Sequence, residues 1–170
     1  DRARQLAAEM ENLAERDPLT GLLNRRGIAN QYANLFRRGF TTFALIDLDH
    51  FKAINDQFGH HVGDEALVAT ASALAPDEDT MAVRLGGEEF MLVLRGPDAI
   101  LRAERRRRAI TARITDTVPQ MDRLVTASMG VVKAPCESAE GLPFEVLYLR
   151  ADKLLYQAKS EGRNRYLRET

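Results

Sequence analysis

The chain has 170 residues, and its 24 Lys and Arg nearly balance its 25 Asp and Glu, leaving a net charge of −1. That length suits one domain with a real core, and the balanced charge gives no argument for nucleic acid or a membrane surface as partner. One cysteine, Cys136, excludes a disulfide framework and a thiolate metal cluster, so a reducing cytosolic setting fits; no apolar run is long enough to cross a bilayer, and any anchor is expected outside this segment.

The first sixteen residues read as a helix. Ala3, Leu6, Met10 and Leu13 follow the 3-4 spacing of a coiled-coil seam. Such a helix either packs on its own domain or ends a longer helix from an upstream sensor; the second reading is preferred, with the catalytic unit expected over residues 17–170. "TTFALIDLD", Thr41 to Asp49, is β-branched and apolar enough for a buried central strand. "HFKAINDQFG" follows as a short helix, with Asp49 placed to cap it. "HHVGDEALVATASALA" has helical spacing at Leu67, Ala71 and Leu74. "MAVRLGGEEFMLVL" reads as strand, two-residue glycine turn and strand. A basic helix over "DAILRAERRRRAITARIT", a strand over "RLVTASMGVVKA" and a helix over "FEVLYLRADKLLYQAKSEGRNR", closed by Gly162, complete the series. The order predicts an α+β fold of the ferredoxin-like type, a central antiparallel sheet flanked by helices.

The chemistry concentrates at "RLGGEEF". Gly86 and Gly87 permit a tight turn and let a ligand approach the main chain. Glu88 and Glu89 are expected to open the returning strand, facing opposite sides of the sheet. Asp47, at the end of the buried strand, is a costly place for a carboxylate without a positive partner. Three carboxylates meeting at one sheet edge point to Mg²⁺, which takes oxygen ligands from carboxylates and substrate phosphates. "GGEE" alone reads equally as a turn with two solvated acids. The strand-to-helix junction offers free N–H groups to a phosphate, with Lys52 in the first helical turn. Lys159 and Arg163 flank the end of the last helix, where they suit either a phosphate chain or the helix dipole. Asp64 can accept two N–H bonds from a guanine edge, and Asn55 can both donate and accept; both also suit turns and helix starts. His60 and His61 are adjacent and lack a third soft ligand, so no metal role is assigned to them.

These segments, with "DPLTGLLNRRG", "DLDHFKAINDQFGHHVGDEAL", "VTASMGV" and "ADKLLYQAKSEGRNR", resemble in order the GGDEF domain of bacterial diguanylate cyclases. The resemblance covers nearly all of the chain from Asp17. It implies a palm-like fold similar to that of polymerases and class III nucleotide cyclases, and condensation of two GTP into cyclic di-GMP and pyrophosphate. It further implies Mg²⁺ (or Mn²⁺) held by Asp47, the Leu48 carbonyl, Glu88 and Glu89. Gly86 and Gly87 would let GTP pass the hairpin, Asn55 and Asp64 would read guanine, and Phe51, Lys52, Lys159 and Arg163 would lie at the phosphates. Catalysis would need a homodimer, since each chain carries one GTP site. Many members of the family carry an inhibitory product site, Arg-x-x-Asp, ahead of the glycines. This chain reads "DEDT" at Asp77 to Thr80, with no arginine between Arg38 and Arg84, so the primary inhibitory site is expected to be missing. A GTP-binding module without turnover, a cyclase with another product and a structural coiled coil are the rival readings.

Overall fold

The computed structural model describes residues 1–134 and 142–169; Cys136 lies outside them. The central strand β1, Thr42–Leu48, is buried at every position. A strand that hides both faces needs helices on both, and the elements supply them. Helices α3 (Phe51–Phe58), α4 (His60–Leu74) and α5 (Ala99–Thr117) cover one face, meeting Ala44, Ile46, Phe90, Leu92 and Met129. Helices α2 (Arg25–Arg37) and α6 (Phe144–Ser160) cover the other, meeting Phe43, Leu45, Met91, Val93 and Val132. Burial of one such Leu, Ile or Phe side chain is worth about 1.5–3 kcal/mol, so the two cores hold the sheet from both sides.

With β2 (Thr80–Gly86), β3 (Glu89–Leu94), β4 (Ala127–Lys133) and β5 (Tyr166–Arg168), the sheet order is β2-β3-β1-β4-β5. β1 is antiparallel to β3 and β4, and β2 to β3, the α+β ferredoxin-like arrangement expected. β5 departs from it: this three-residue edge strand runs parallel to β4. Helix α2 is also additional. Its signal was present in the Asn24 cap, which accepts from Gly27 N at 2.8 Å, and in Ile28, Tyr32, Leu35 and Phe36 at helical spacing.

The first helix, α1 (Arg2–Glu15), buries no residue, and Leu6, Met10 and Leu13 are exposed, so its apolar stripe joins neither core. It is joined to the rest by polar contacts at its end: Asn24 Nδ2 donates to the Ala14 carbonyl at 2.9 Å, and Arg16 bridges Leu23.

Two local expectations also change. Asp49 does not cap α3, which starts after His50 in the left-handed region with no side-chain cap. Its carboxylate instead accepts from Thr126 Oγ1 at 2.7 Å, Ser128 Oγ at 2.7 Å and Asn164 N at 3.1 Å, tying β4 to the segment after α6. The hairpin turns at Gly87 and Glu88, with Gly86 (φ 146°) still in β2 and a register shift between Arg84 and Gly86. Glu88 therefore sits in the turn, and Glu89 opens β3.

Candidate active site

The register of the central strands decides where the acids meet. Asp47 of β1 lies directly opposite Glu89 of β3, and directly opposed residues present their side chains on the same face. That face is the one covered by α6. Leu48 N donates to the Glu88 carbonyl at 3.4 Å, so the hairpin turn is latched to the end of β1. Arg84 braces the turn from below: its Nε donates to the Gly87 carbonyl at 3.0 Å, and its Nη1 pairs with Asp17 at 3.0 Å. Burial works against the Asp17 carboxylate, but bonds from Thr20 and Arg84 hold it below the ordinary carboxylate value.

One helix reaches both opposed acids. Lys159 Nζ of α6 donates to Asp47 Oδ2 at 2.5 Å, and Tyr148 Oη donates to Glu89 Oε1 at 2.6 Å. Burial nevertheless pushes the Asp47 carboxyl up to about 6; the Lys159 ammonium opposes the rise, and the charges of Glu88 and Glu89 add to it. Desolvation at this position thus outweighs a close cation. Asp47 Oδ1 is buried with no hydrogen-bond partner among the described residues, an arrangement that costs free energy unless something fills it. Tyr148 is pushed up to about 12, by burial first and then by its bond to Glu89, so its phenol is a donor at neutral pH.

The donor set at this end of the sheet is all oxygen: the Asp47, Glu88 and Glu89 carboxylates and the Leu48 carbonyl. Such donors suit a hard cation, and the orphaned Asp47 Oδ1 is the atom that a cation would satisfy. No three ligating side chains converge as a ready-made cage among the described residues. Lys159 holds one Asp47 oxygen instead.

The expected base-reading pair lies on the next two elements. Asn55, on α3, is half-buried, and its Oδ1 has no partner among the described residues. It rests against Gly63 of α4, where a methyl group would overlap Oδ1. Asp64 follows on the exposed side of α4 and lines a groove of about 550 Å³ together with Leu19, Glu65, Val68 and Arg113. Gly63, Arg84 and Tyr148 carry no assignment in the sequence reading, because their parts depend on what the fold sets beside them. Phe51 is buried beneath the start of α3, and Lys52 beside it is exposed. Arg163 follows the end of α6 at φ 63°, one of two successive left-handed residues. His61 pairs with Glu65 on its own helix at 3.2 Å.

The model of the family described as "Diguanylate cyclase, GGDEF domain" matches residues 14–165. The chain belongs to this GGDEF family. Among relatives, diguanylate cyclase VdcA of Vibrio cholerae is 37% identical over 98% of this chain and 50% of its own length. The response regulator PleD of Caulobacter vibrioides is 39% identical over 89% of this chain and 35% of its own. This GGDEF domain therefore spans half or less of either relative. In structure it is similar to the coiled coil and GGDEF domain of DgcB from Caulobacter crescentus, in complex with c-di-GMP. The TM-score is 0.79 at 27% identity, covering 99% of this chain and 92% of that one. It is also similar to diguanylate cyclase SiaD of Pseudomonas aeruginosa in complex with its activator SiaC, with TM-score 0.78, 32% identity and coverage of 99% and 66%.

Proposed function

We propose that this GGDEF domain condenses two molecules of GTP into cyclic di-GMP with release of two pyrophosphates. The observation that carries the reading is the facing of Asp47 and Glu89 across β1 and β3, with one buried Asp47 oxygen left unpartnered. The 3′-hydroxyl oxygen of one GTP loses its proton to water and bonds to the α-phosphorus of the other, the bond from that phosphorus to the β-phosphate bridging oxygen breaks, and pyrophosphate leaves. A second, reciprocal attack closes the ring. Each chain presents one nucleotide, so two domains face each other about a two-fold axis.

Asp47, the Leu48 carbonyl, Glu88 and Glu89 are the residues that would hold Mg²⁺ or Mn²⁺. The ion when bound supplies charge neutralisation on the triphosphate and a more acidic hydroxyl. The chain's own groups bind and orient. Asp64 accepts from the guanine edge and Asn55 offers the complementary amide, so a purine lacking those donors leaves a carboxylate unpaired. Gly86 and Gly87 bring bare backbone to the nucleotide. Lys52 and Arg163 meet phosphate oxygens, and Lys159, which here pairs with Asp47, would be available to phosphate were Asp47 to hold a cation. A cytosolic setting, where GTP is available, and control by a sensor upstream of α1 complete the reading.

Incubation with GTP and Mg²⁺, with products resolved by chromatography, tests the activity. Wild type yields cyclic di-GMP, and Asp47→Asn or Glu89→Gln yields none while keeping its circular dichroism spectrum. Full turnover in either folded variant removes the acids from the mechanism. A domain that binds GTP without releasing pyrophosphate is instead a regulatory module.

A further inference from the structure

Both opposed acids are held from α6, but by different means. Asp47 is met by the charged Lys159 and Glu89 by the neutral Tyr148, eleven positions earlier on the same helix, about three turns away. Tyr148 is itself fixed. Its ring packs at the edge of the core formed with Phe144 and Leu147, and the Arg25 guanidinium lies over it at 4.5 Å from the centroid. Arg25 in turn pairs with Glu145, one turn before Tyr148, at 3.2 Å. A carboxylate only accepts, so the hydroxyl proton points at Glu89 Oε1. Among the described residues Tyr148 is the one side chain that hydrogen-bonds Glu89.

We infer that Tyr148 is the positioning residue of the proposed cation site: its hydroxyl holds Glu89 Oε1 and leaves Oε2 as the oxygen for the ion. The inference rests on the reading of Glu89 given above. A glutamate at the mouth of a hairpin has three free torsions, and fixing one oxygen removes most of the orientations in which the other faces away. Partners of this kind orient a ligand without touching the ion, and their loss typically weakens metal affinity or activity about 10- to 100-fold. Arg25 and the surrounding apolar side chains keep the phenol ring in place, so the hydroxyl is the part that acts on Glu89.

The test uses the full chain and Mn²⁺ as probe, with binding followed by electron paramagnetic resonance in the presence of 3′-deoxy-GTP, which cannot condense. Tyr148→Phe keeps the ring and removes the hydroxyl. It is expected to weaken Mn²⁺ binding about tenfold or more and to lower kcat, with KM for GTP within about twofold of wild type. In a Glu89→Gln background the same change is expected to add nothing. Unaltered Mn²⁺ binding in folded Tyr148→Phe overturns the inference, as does an equal loss in the Glu89→Gln background. Wild-type Mn²⁺ binding and turnover in Glu89→Gln itself overturns the reading of Glu89, and that failure is visible separately because it needs no change at Tyr148. Tyr148→Leu serves as the second variant if the phenylalanine variant melts early, with the same outcomes.

Discussion

Gly63→Ala separates stability from substrate binding in one substitution. Gly63 lies inside α4, where alanine is favoured over glycine by about 0.8–1 kcal/mol. The added methyl would overlap Asn55 Oδ1 and lie 3.3 Å from Phe51 Cζ. The obstructing atom is the end of a side chain, so the fold can yield by moving it. Asn55 must withdraw to ordinary contact distance, roughly 3.5 Å, which takes its amide off the line it holds in the wild type. Oδ1 has no partner to lose, so this movement breaks no internal hydrogen bond. The melting temperature is therefore expected to stay level or rise. Loss of one base-directed hydrogen bond that leaves a polar group unmatched costs about 1–3 kcal/mol, or roughly 5- to 150-fold in affinity. A pyrophosphate-release assay over a GTP series, beside a thermal melt, reads both quantities. An unchanged KM with an intact fold refutes the assignment of Asn55 to the base. A drop in stability without a change in KM shows that Gly63 serves packing alone.

Asp47→Asn is expected to stabilise the metal-free protein in a pH-dependent way. The Asp47 pKa is raised from 3.8 to about 6, so between those values the folded state binds more protons than the unfolded one, and stability falls as pH rises. Removing the charge should return about 1–3 kcal/mol above the window and nothing below it, read from urea midpoints at either end; a difference independent of pH refutes the burial argument. Specific activity is expected to rise with protein concentration, as the proposed two-chain mechanism requires, and a flat dependence down to shown monomer excludes that mechanism. Tight inhibition by cyclic di-GMP is expected to be absent: Asp77 pairs with Arg106 at 3.1 Å and Asp79 with Arg95 at 2.9 Å, so the "DEDT" segment engages nearby cations itself. Sub-micromolar binding in calorimetry, lost on changing a residue from Asp77 to Thr80, contradicts this.

The sequence made the sheet readable where periodicity and burial agree. β1 is an unbroken apolar run because helices cover both its faces, and the hairpin declares itself through two glycines between two strands. The carboxylates stood out because Asp47 interrupts such a run. Its partner is not visible in the sequence: Lys159 lies 112 residues away and 11 positions beyond Tyr148, and only the packing of α6 on the sheet brings both to the acids. The role of Asp49 is hidden for a related reason. Its position before a helix suits a cap, but the hydroxyls of Thr126 and Ser128 offer stronger competition from a strand far along the chain. β5 was too short to carry a pattern. α2 did carry one, in Ile28, Tyr32, Leu35 and Phe36, beneath the more conspicuous "DPLTG" turn.

A helix that buries nothing behaves as a handle. Turning α1 does not pull side chains out of either core, so it meets little resistance from the body of the domain. Its load leaves through its last turn, by the bonds from Ala14 and Glu15 to Asn24 and Asn30 at the start of α2 and by the bridge from Arg16 to Leu23. Leu23 bridges Val83 and its carbonyl accepts from Arg84 N at 2.8 Å, and β2 runs from there into the glycine turn. Arg84 is bolted to Asp17 on one side and to Gly87 on the other. One path from α1 thus ends at the hairpin that bears Glu88 and Glu89, and the stiff sheet behind that hairpin is the anvil against which it would bend.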